Sequence, residues 1–468
     1  MNRLGVLILA AGLGKRMRSK KAKVLHPLCG KPVILYLVDR SLSLKPDVTI
    51  AVVGHQGKEV QALVKNRGIK IVRQEKQLGT GHAALQAQTI LKRFQGDLLI
   101  LNGDTPLLTQ ATLQQFLLHH RETGSTLSLL TAVLKNPTGY GRILRNSPGD
   151  VLRVVEQKDA TSQVQKIQEV NGGIYLVDPG FLFKALKNLK KDNAQKEYYL
   201  TDIVEEAVRN KKKVTAWVVP EAAEILGVNS RKDFSVAETM MRRQILENLM
   251  DRGVTVIDPA TTYVDEEVLV GQDSVLYPST FLEGRTQIGE GCVIGPWVHI
   301  IDSCLGNGVL VRNGCVVKES ILEDTVSVGP FTHLRAGTVL KKEVRIGNFV
   351  EIKKSELGKG SKANHLSYIG DAEIGKGVNI GAGTITCNYD GNKKSKTVIG
   401  DGVFVGSDTQ LVAPVKVGRK AMIAAGSTIT RDVPPGALAI NRVQQENKTG
   451  WVKKRNLRAK KPTQKRKS

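Results

Sequence analysis

Aliphatic residues recur every six positions through the second half of the chain. Val264, Val270, Leu276, Leu282, Ile288, Ile294 and Ile300 keep this step, and after a one-residue slip it resumes at Leu310, Val316, Leu322, Val328, Leu334, Leu340, Ile346 and Ile352. It returns at Ile399, Val405, Leu411, Val417, Ile423 and Ile429. A helix repeats near 3.6 residues and a strand near 2, so neither by itself gives a step of six. A short strand followed by a corner does. Gly follows the anchor in Ile288-Gly289, Ile294-Gly295, Ile346-Gly347, Ile374-Gly375, Ile380-Gly381 and Val405-Gly406, and it is expected to supply the left-handed backbone that corners often need. The pattern predicts hexapeptide repeats wound as a parallel β-helix, three repeats to a coil, with the aliphatics stacked inside. The alternative is a β-sandwich with coincidental spacing. Against it stand about 20 in-phase aliphatics over roughly 160 residues.

The first half reads differently. Leu4–Leu9, Thr49–Val53, Ile69–Arg73, Leu98–Leu101 and Leu127–Val133 are apolar runs of strand length, and Pro32–Leu42, Gly57–Lys65, Gly81–Lys92 and Gln110–His120 read as helices between them. Strands alternating with helices predict a Rossmann-like α/β domain with a mostly parallel sheet. Ligands of such sheets bind beyond the carboxyl ends of the strands. Phe234, Ala237, Met241, Ile245 and Leu249 fall at helical spacing, which predicts a helical strut between domains. The expected division is therefore 1–231, a linker at 232–252, the repeat domain at 253–452, and a tail at 453–468.

Length agrees with this, since 468 residues exceed what one core supports. The five Cys (29, 292, 304, 315 and 387) form no CxxC pair, which points to reduced thiols and a cytoplasmic setting rather than disulfides or zinc. No apolar run reaches membrane-spanning length. The net charge is +25, and the last 16 residues hold nine Lys and Arg with no acid. Such a block predicts a solvated, irregular tail. No nucleic-acid-binding motif accompanies it, so no nucleic-acid partner is expected.

The first strand ends in Leu9-Ala10-Ala11-Gly12-Leu13-Gly14-Lys15-Arg16-Met17. Met17 excludes the dinucleotide fingerprint, and the missing GK[ST] excludes a Walker loop. Glycines after a strand still let backbone N–H groups approach phosphate, and Lys15, Arg16 and Lys23 add cations suited to phosphoryl transfer. Asp104, after Leu98–Leu101 and Asn102-Gly103, is a hard oxygen donor at a strand end; by itself it reads equally as a cap for the turn before Pro106.

Taken together, Gly12-Leu13-Gly14-Lys15-Arg16-Met17, Lys23, Gly30-Lys31-Pro32, Gln74, Leu78-Gly79-Thr80-Gly81, Asn102-Gly103-Asp104, Gly139-Tyr140-Gly141-Arg142, Val155-Glu156-Gln157-Lys158, Val170-Asn171-Gly172-Gly173, Glu197-Tyr198-Tyr199 and Gly227-Val228-Asn229 resemble the sugar nucleotidyltransferases. The resemblance implies that Leu9, Ala10, Ala11, Gly12, Lys23, Gln74, Gly79, Thr80, Asn102, Gly103, Asp104, Gly141, Glu156, Asn171 and Asn229 bind UTP and the sugar nucleotide. It implies further that Asp104 and Asn229 hold Mg²⁺, and that Arg16 and Lys23 act on the transferring phosphoryl group. The chain departs from the pattern at Lys15, where a small hydroxyl residue is usual, and at Asn102, where an aromatic is.

The repeat domain resembles the hexapeptide acyltransferases, which implies a left-handed coil. Polar residues interrupt its beat at Lys359–Tyr368 and at Thr386–Thr397. His365 there suits a general base toward an amine; the alternative is a corner residue bonded to backbone. Both halves in this order, over about residues 1 to 452, resemble the bifunctional N-acetylglucosamine-1-phosphate uridyltransferase/glucosamine-1-phosphate acetyltransferases. That family assigns proton acceptance to His365, glucosamine 1-phosphate to Arg335, Lys353, Tyr368 and Asn379, and acetyl-CoA to Ala382, Asn388, Tyr389, Ser407, Ala425 and Arg442. Trp451 is expected to close the site from a neighbouring subunit. It also implies a homotrimer whose product, UDP-N-acetylglucosamine, feeds cell-wall and lipopolysaccharide precursors. Two other readings remain: a single-activity sugar-phosphate nucleotidyltransferase with a structural or regulatory β-helix, and a non-catalytic assembly protein that binds sugar nucleotides.

Overall fold

The computed structural model describes residues 3–147 and 149–459. They form two compact units, one from the residues up to Asp251 with Tyr263–Val268, the other from Arg252–Thr262 and Leu269 onward.

The first unit is built on a nine-stranded sheet. Across it run Val214–Val218, Leu127–Val133, Glu169–Val177, Asp97–Asn102, Leu4–Ala10, Val48–Val53 and Lys70–Arg73. Neighbours are parallel except Glu169–Val177, which runs antiparallel to both strands beside it. Leu4–Ala10 is buried throughout, as a strand covered on both faces must be. Its Val6 and Ile8 enter one core and its Leu7 and Leu9 the other. The strand and helix positions read from the sequence are present, with one difference. The stretch expected as a single helix over 81–92 is two, Thr80–Leu85 and Gln88–Leu91. At the join the Gln86 amide bonds Ala83 rather than His82, and the Gln86 side chain donates to the His82 carbonyl at 3.0 Å.

Helix Arg231–Asp251 is present, but it is no free-standing strut. Ala237, Met241, Ile245, Leu246 and Leu249 are buried, and Glu238 accepts from the Cys29 amide at 3.2 Å.

The second unit is a prism of parallel strands in which each strand pairs with the third one after it until the last coil, where Met422–Ile423 pairs with Leu438–Ala439. Two expectations need correction. Leu310 and Val316 do not face inward; Val311 and Val317 do, each fully buried. Leu282 pairs with Ile300, eighteen residues on, but Ile300 pairs with Val317 and Val317 with Leu334, seventeen each. The missing residue is lost where the second face turns into the third, at Asp302 and Glu319, both with φ of 45°. A tight corner therefore resets the phase that a strict six predicts.

The second correction concerns the Gly after each anchor. Gly289, Gly347 and Gly381 do not adopt positive φ; a Cβ on Gly347 would lie 1.9 Å from the Asn364 carbonyl oxygen, and on Gly381 2.5 Å from Gly406. Gly stands there because successive coils nearly touch. Left-handed backbone comes two residues later, at Gly291 but also at Trp297, Phe331 and Phe349. Buried hydroxyls close the corners: Thr332 donates to the Gly347 carbonyl at 2.7 Å, and Ser361 to the Gly375 carbonyl at 2.7 Å, which pairs those polar groups inside the coil.

The tail also departs from expectation. Trp451–Ala459 is a helix with all its residues exposed; Lys460, Lys461, Lys465, Arg466 and Lys467 lie outside the described residues.

Candidate active sites

In the first unit the strand ends Ala10, Val53 and Asn102 point to one edge, and a cleft of about 650 Å³ opens there. Leu9, Ala10, Ala11, Gly12, Lys23, Gln74, Gly79, Thr80, Asn102, Asp104 and Asn229 line it. Glycines make the floor possible. Gly14 has φ of 60°, and a Cβ on it would be 2.8 Å from that of Lys23. Gly79 has φ of 108° and lies against the Tyr198 carbonyl. The Gly103 amide donates to the Leu9 carbonyl at 2.8 Å, which carries the pairing of the two strands one residue further, up to Asp104.

The Lys23 ammonium donates to Asn229 Oδ1 at 2.9 Å and to the Asp104 carboxylate. Two oxygens from distant parts of the chain thus converge on one cation. The backbone holds them there, since the Val228 amide donates to the Asp104 carbonyl at 2.8 Å. A pair of hard oxygen donors with open space beside them suits a divalent cation that keeps waters and substrate phosphates as its other ligands.

Gly141, Glu156 and Asn171 are also brought together. The Asn171 amide donates to the Gly141 carbonyl at 2.9 Å, and a Gly141 Cβ would stand 3.5 Å from Glu156. Burial pushes the Glu156 carboxyl up, while Thr201 donates to it. Asn171 Oδ1 accepts from the Gly173 amide, and Gly173 lies against the Asn102 side chain. Asn102 thus joins this trio to the cleft, in the place where an aromatic is usual. Arg16 is exposed and bonded to no side chain among the described residues. The Lys15 side chain lies outside the description.

Sequence reasoning missed Gln77, Lys158, Gln195 and Glu197 as cleft residues. Lys158 and Glu197 lie inside motifs already quoted, and Lys158 reaches across to Gln195 at 2.9 Å. Arg142 is only 1% exposed and bonds Gln157 at 2.8 Å, which also accepts from the Gly139 amide; it braces the turn rather than the cleft.

In the second unit the candidate residues stack by coil. Asn348, His365, Ala382, Ser407 and Ala425 each stand two residues after an anchor of the first face, at Ile346, Ala363, Ile380, Val405 and Ile423, which pair in register. The Asp408 amide donates to the Ala382 carbonyl at 2.7 Å, the Gly426 amide to Ser407 at 2.8 Å, and Arg442 to Ala425 at 3.0 Å. This makes a corner column of small side chains with His365, exposed, at one end.

The second face carries Arg335, Lys353 and Tyr368. Arg335 pairs with Glu351 at 2.7 Å. The Lys353 ammonium is held below its usual range by Lys394, with Arg335 adding to the effect. Tyr368 and Asn388 meet over Gly370, whose Cβ would be 2.5 and 2.8 Å from them. Lys394 comes from the loop after Asn388, folded back by a bridge between Tyr389 and Lys394. It is a further cation that the sequence showed only as one of several Lys in that loop. Asn379 lies on the first face, in register with Lys362 and Phe404. Trp451 stacks with Arg455 of its own helix.

These two constellations belong to a nucleotidyl transferase joined to a hexapeptide transferase. The nucleotidyl transferase family model matches residues 5–222, the GMPPB C-terminal domain model residues 261–348, and the bacterial transferase hexapeptide model, six repeats, residues 396–431. The prism is accordingly a left-handed β-helix. The chain is 48% identical over 456 residues to the bifunctional protein GlmU of Geotalea uraniireducens (strain Rf4), covering 97% of this chain and 100% of that protein. It is 51% identical over 455 residues to the bifunctional protein GlmU of Caldanaerobacter subterraneus subsp. tengcongensis, covering 97% and 99%. The chain belongs to the bifunctional GlmU family.

Proposed function

We propose a division of work between the two units. The chain is a bifunctional transferase: it moves acetyl from acetyl-CoA to glucosamine 1-phosphate, then uridylyl from UTP to N-acetylglucosamine 1-phosphate, releasing pyrophosphate. What carries this reading is that each unit has its own cation-bearing site, Lys23 with Asp104 and Asn229 in one, and Arg335, Lys353 and Lys394 in the other, whose coils also carry the exposed His365.

In the acetyl transfer, Arg335, Lys353 and Lys394 hold the sugar phosphate. Their mutual repulsion, felt in the lowered affinity of Lys353 for its proton, is relieved when a phosphate dianion binds. The substrate amine attacks the thioester carbonyl and loses its proton to His365 Nε2; the CoA thiolate leaves and is protonated. Tyr368 and Asn379 position the sugar. The corner column of Ala382, Ser407 and Ala425, with Asn388, Tyr389 and Arg442, receives acetyl-CoA.

In the uridylyl transfer, Gly12, Gln74, Gly79 and Thr80 seat UTP, with Leu9, Ala10, Ala11 and Gly103 closing the backbone around it. Gly141, Glu156 and Asn171 take sugar and ribose hydroxyls. The sugar phosphate oxygen attacks the α-phosphorus in line and pyrophosphate departs, with no covalent enzyme intermediate. Asp104 and Asn229 hold Mg²⁺, which neutralises triphosphate charge when bound. Arg16 and Lys23 stabilise charge on the transferring group.

The working form is a cytoplasmic homotrimer. Trp297, Phe331, Phe349 and Leu366 form an exposed column on one corner, all with positive φ, and the Phe331 and Phe349 rings stack at 5.7 Å. Bulky side chains in that conformation are costly, and cover by neighbouring copies supplies a compensation. Among the described residues no helix is long and apolar enough to cross a membrane.

The test follows free thiol and pyrophosphate separately. His365→Ala is expected to abolish thiol release from glucosamine 1-phosphate and acetyl-CoA while leaving pyrophosphate release from UTP and supplied N-acetylglucosamine 1-phosphate intact. Asp104→Ala is expected to do the reverse. Pyrophosphate without thiol from the unaltered chain would mean that the prism is a scaffold.

A further inference from the structure

His365 closes a strand, Lys362–His365, that pairs in parallel with Arg345–Asn348, and Asn348 is its direct register partner. Its Nδ1 lies 3.2 Å from Asn348 Oδ1, and Nε2 has no hydrogen-bond partner among the described residues. The backbone around it is fixed. Ser367 Oγ donates to the His365 carbonyl at 2.8 Å, and Leu366 turns the chain with φ of 46°. On the other strand, Gly347 lies against the Asn364 carbonyl so closely that only Gly fits. Two side chains on adjacent coils are therefore held face to face by their frames.

We propose that Asn348 is a positioning residue for His365. Its side-chain carbonyl accepts the Nδ1 proton, so that the neutral ring carries its lone pair on Nε2, facing open space. The inference rests on His365 acting as the base in acetyl transfer.

The chemistry favours this amide. A base must present a lone pair, and a neutral imidazole has one on only one nitrogen. An acceptor at Nδ1 places the proton there and leaves Nε2 free. Many histidines in such roles have a carboxylate behind them. Here no carboxylate forms an ion pair with His365 among the described residues. The charged side chains on its own and the preceding strand, Lys362 and Arg345, pair with each other's register positions at the opposite strand ends, and the following coil offers Asn379. A neutral acceptor selects the tautomer without bringing a negative charge to the ring.

The amide could be turned the other way, with Asn348 donating to Nδ1, and the ring would then carry its proton on Nε2. That arrangement is inert toward an amine proton and gives the test its sharpest form. The full-length protein, labelled with ¹⁵N in histidine and assigned with His365→Gln, is read by long-range ¹H–¹⁵N correlation above the ring's titration. The Nδ1–H tautomer is expected; the Nε2–H tautomer overturns the proposal. Asn348→Ala is expected to lower kcat for thiol release about 10- to 100-fold, with KM for glucosamine 1-phosphate within about twofold and pyrophosphate release unchanged. Asn348→Asp keeps an acceptor, and most of kcat is expected to return, with the acid limb of the pH profile moved to higher pH because a carboxylate stabilises the imidazolium. An unaltered kcat in Asn348→Ala, or an Asn348→Asp protein no better than Ala, refutes the positioning role. Thiol release that survives His365→Ala refutes the base assignment itself, and the tautomer measurement distinguishes that failure from the other.

Discussion

Asp202 shows how burial and charge act on one side chain. It sits with Glu156 and Asp159 along a cleft of the first unit. Burial, then the charges of Glu156, Glu205 and Asp159, raise its carboxyl to about 6. A carboxyl raised in the fold binds its proton more tightly there than in the unfolded chain. The contribution of Asp202 to stability is therefore most favourable at acid pH and is lost as pH rises from about 4 through about 6. Asp202→Asn is expected to flatten that dependence and to raise the first unit's unfolding temperature at pH 7.5, by about 2–4 °C per kcal/mol recovered; a calorimetric scan at pH 4.5 and 7.5 reads it. At this scale the sequence was legible where chemistry is concentrated in motifs. Lys23, Asp104 and Asn229 were recognisable by their company, but their convergence on one point was not, because 206 positions separate Lys23 from Asn229. Asn348 carried no signal, since an Asn after Ile-Gly is an ordinary corner residue until the coil beneath places His365 against it.

Glycine explains the β-helix as an element, for two different reasons. Gly289 leaves room, since a Cβ there would be 2.4 Å from Asn307 and 2.7 Å from the Gly306 backbone; Gly291, two residues on, supplies φ of 63° in open space. Gly291→Ala should cost about 1 kcal/mol through its backbone conformation alone. Gly289→Ala should cost about 3 kcal/mol, the upper end for overpacking, because the obstacle is backbone. Urea unfolding of the second unit, followed by circular dichroism, ranks them; equal losses would mean that coil spacing is softer than the distances imply. The six-residue step revealed the element type and its three faces. The one-residue slip was visible too, but its cause was not. Corners such as Asp302 and Glu319 shorten a coil from eighteen residues to seventeen, and only register shows which side of the slip faces inward.

At the scale of the whole molecule, the exposed column of Trp297, Phe331, Phe349 and Leu366 is the surface on which the proposed homotrimer is tested. Trp297→Asp with Phe331→Asp is expected to yield a monomer by light scattering, to abolish thiol release and to spare pyrophosphate release. A double variant that stays trimeric would remove this corner from the interface. The sequence by itself determined the two kinds of domain, because periodicity and motif spacing are local properties that every residue in a run repeats. It determined most of the cleft in the first unit for the same reason, since strand ends and their glycine turns travel together. Tertiary structure alone decided which residues meet: Lys23 with Asn229, Lys394 with Lys353, Asn348 with His365. It also decided that helix Arg231–Asp251 is packed down rather than free, and that Gly after an anchor stands for coil contact rather than for a turn. Such facts depend on distances between segments far apart in the chain, and a linear pattern carries no measure of those distances.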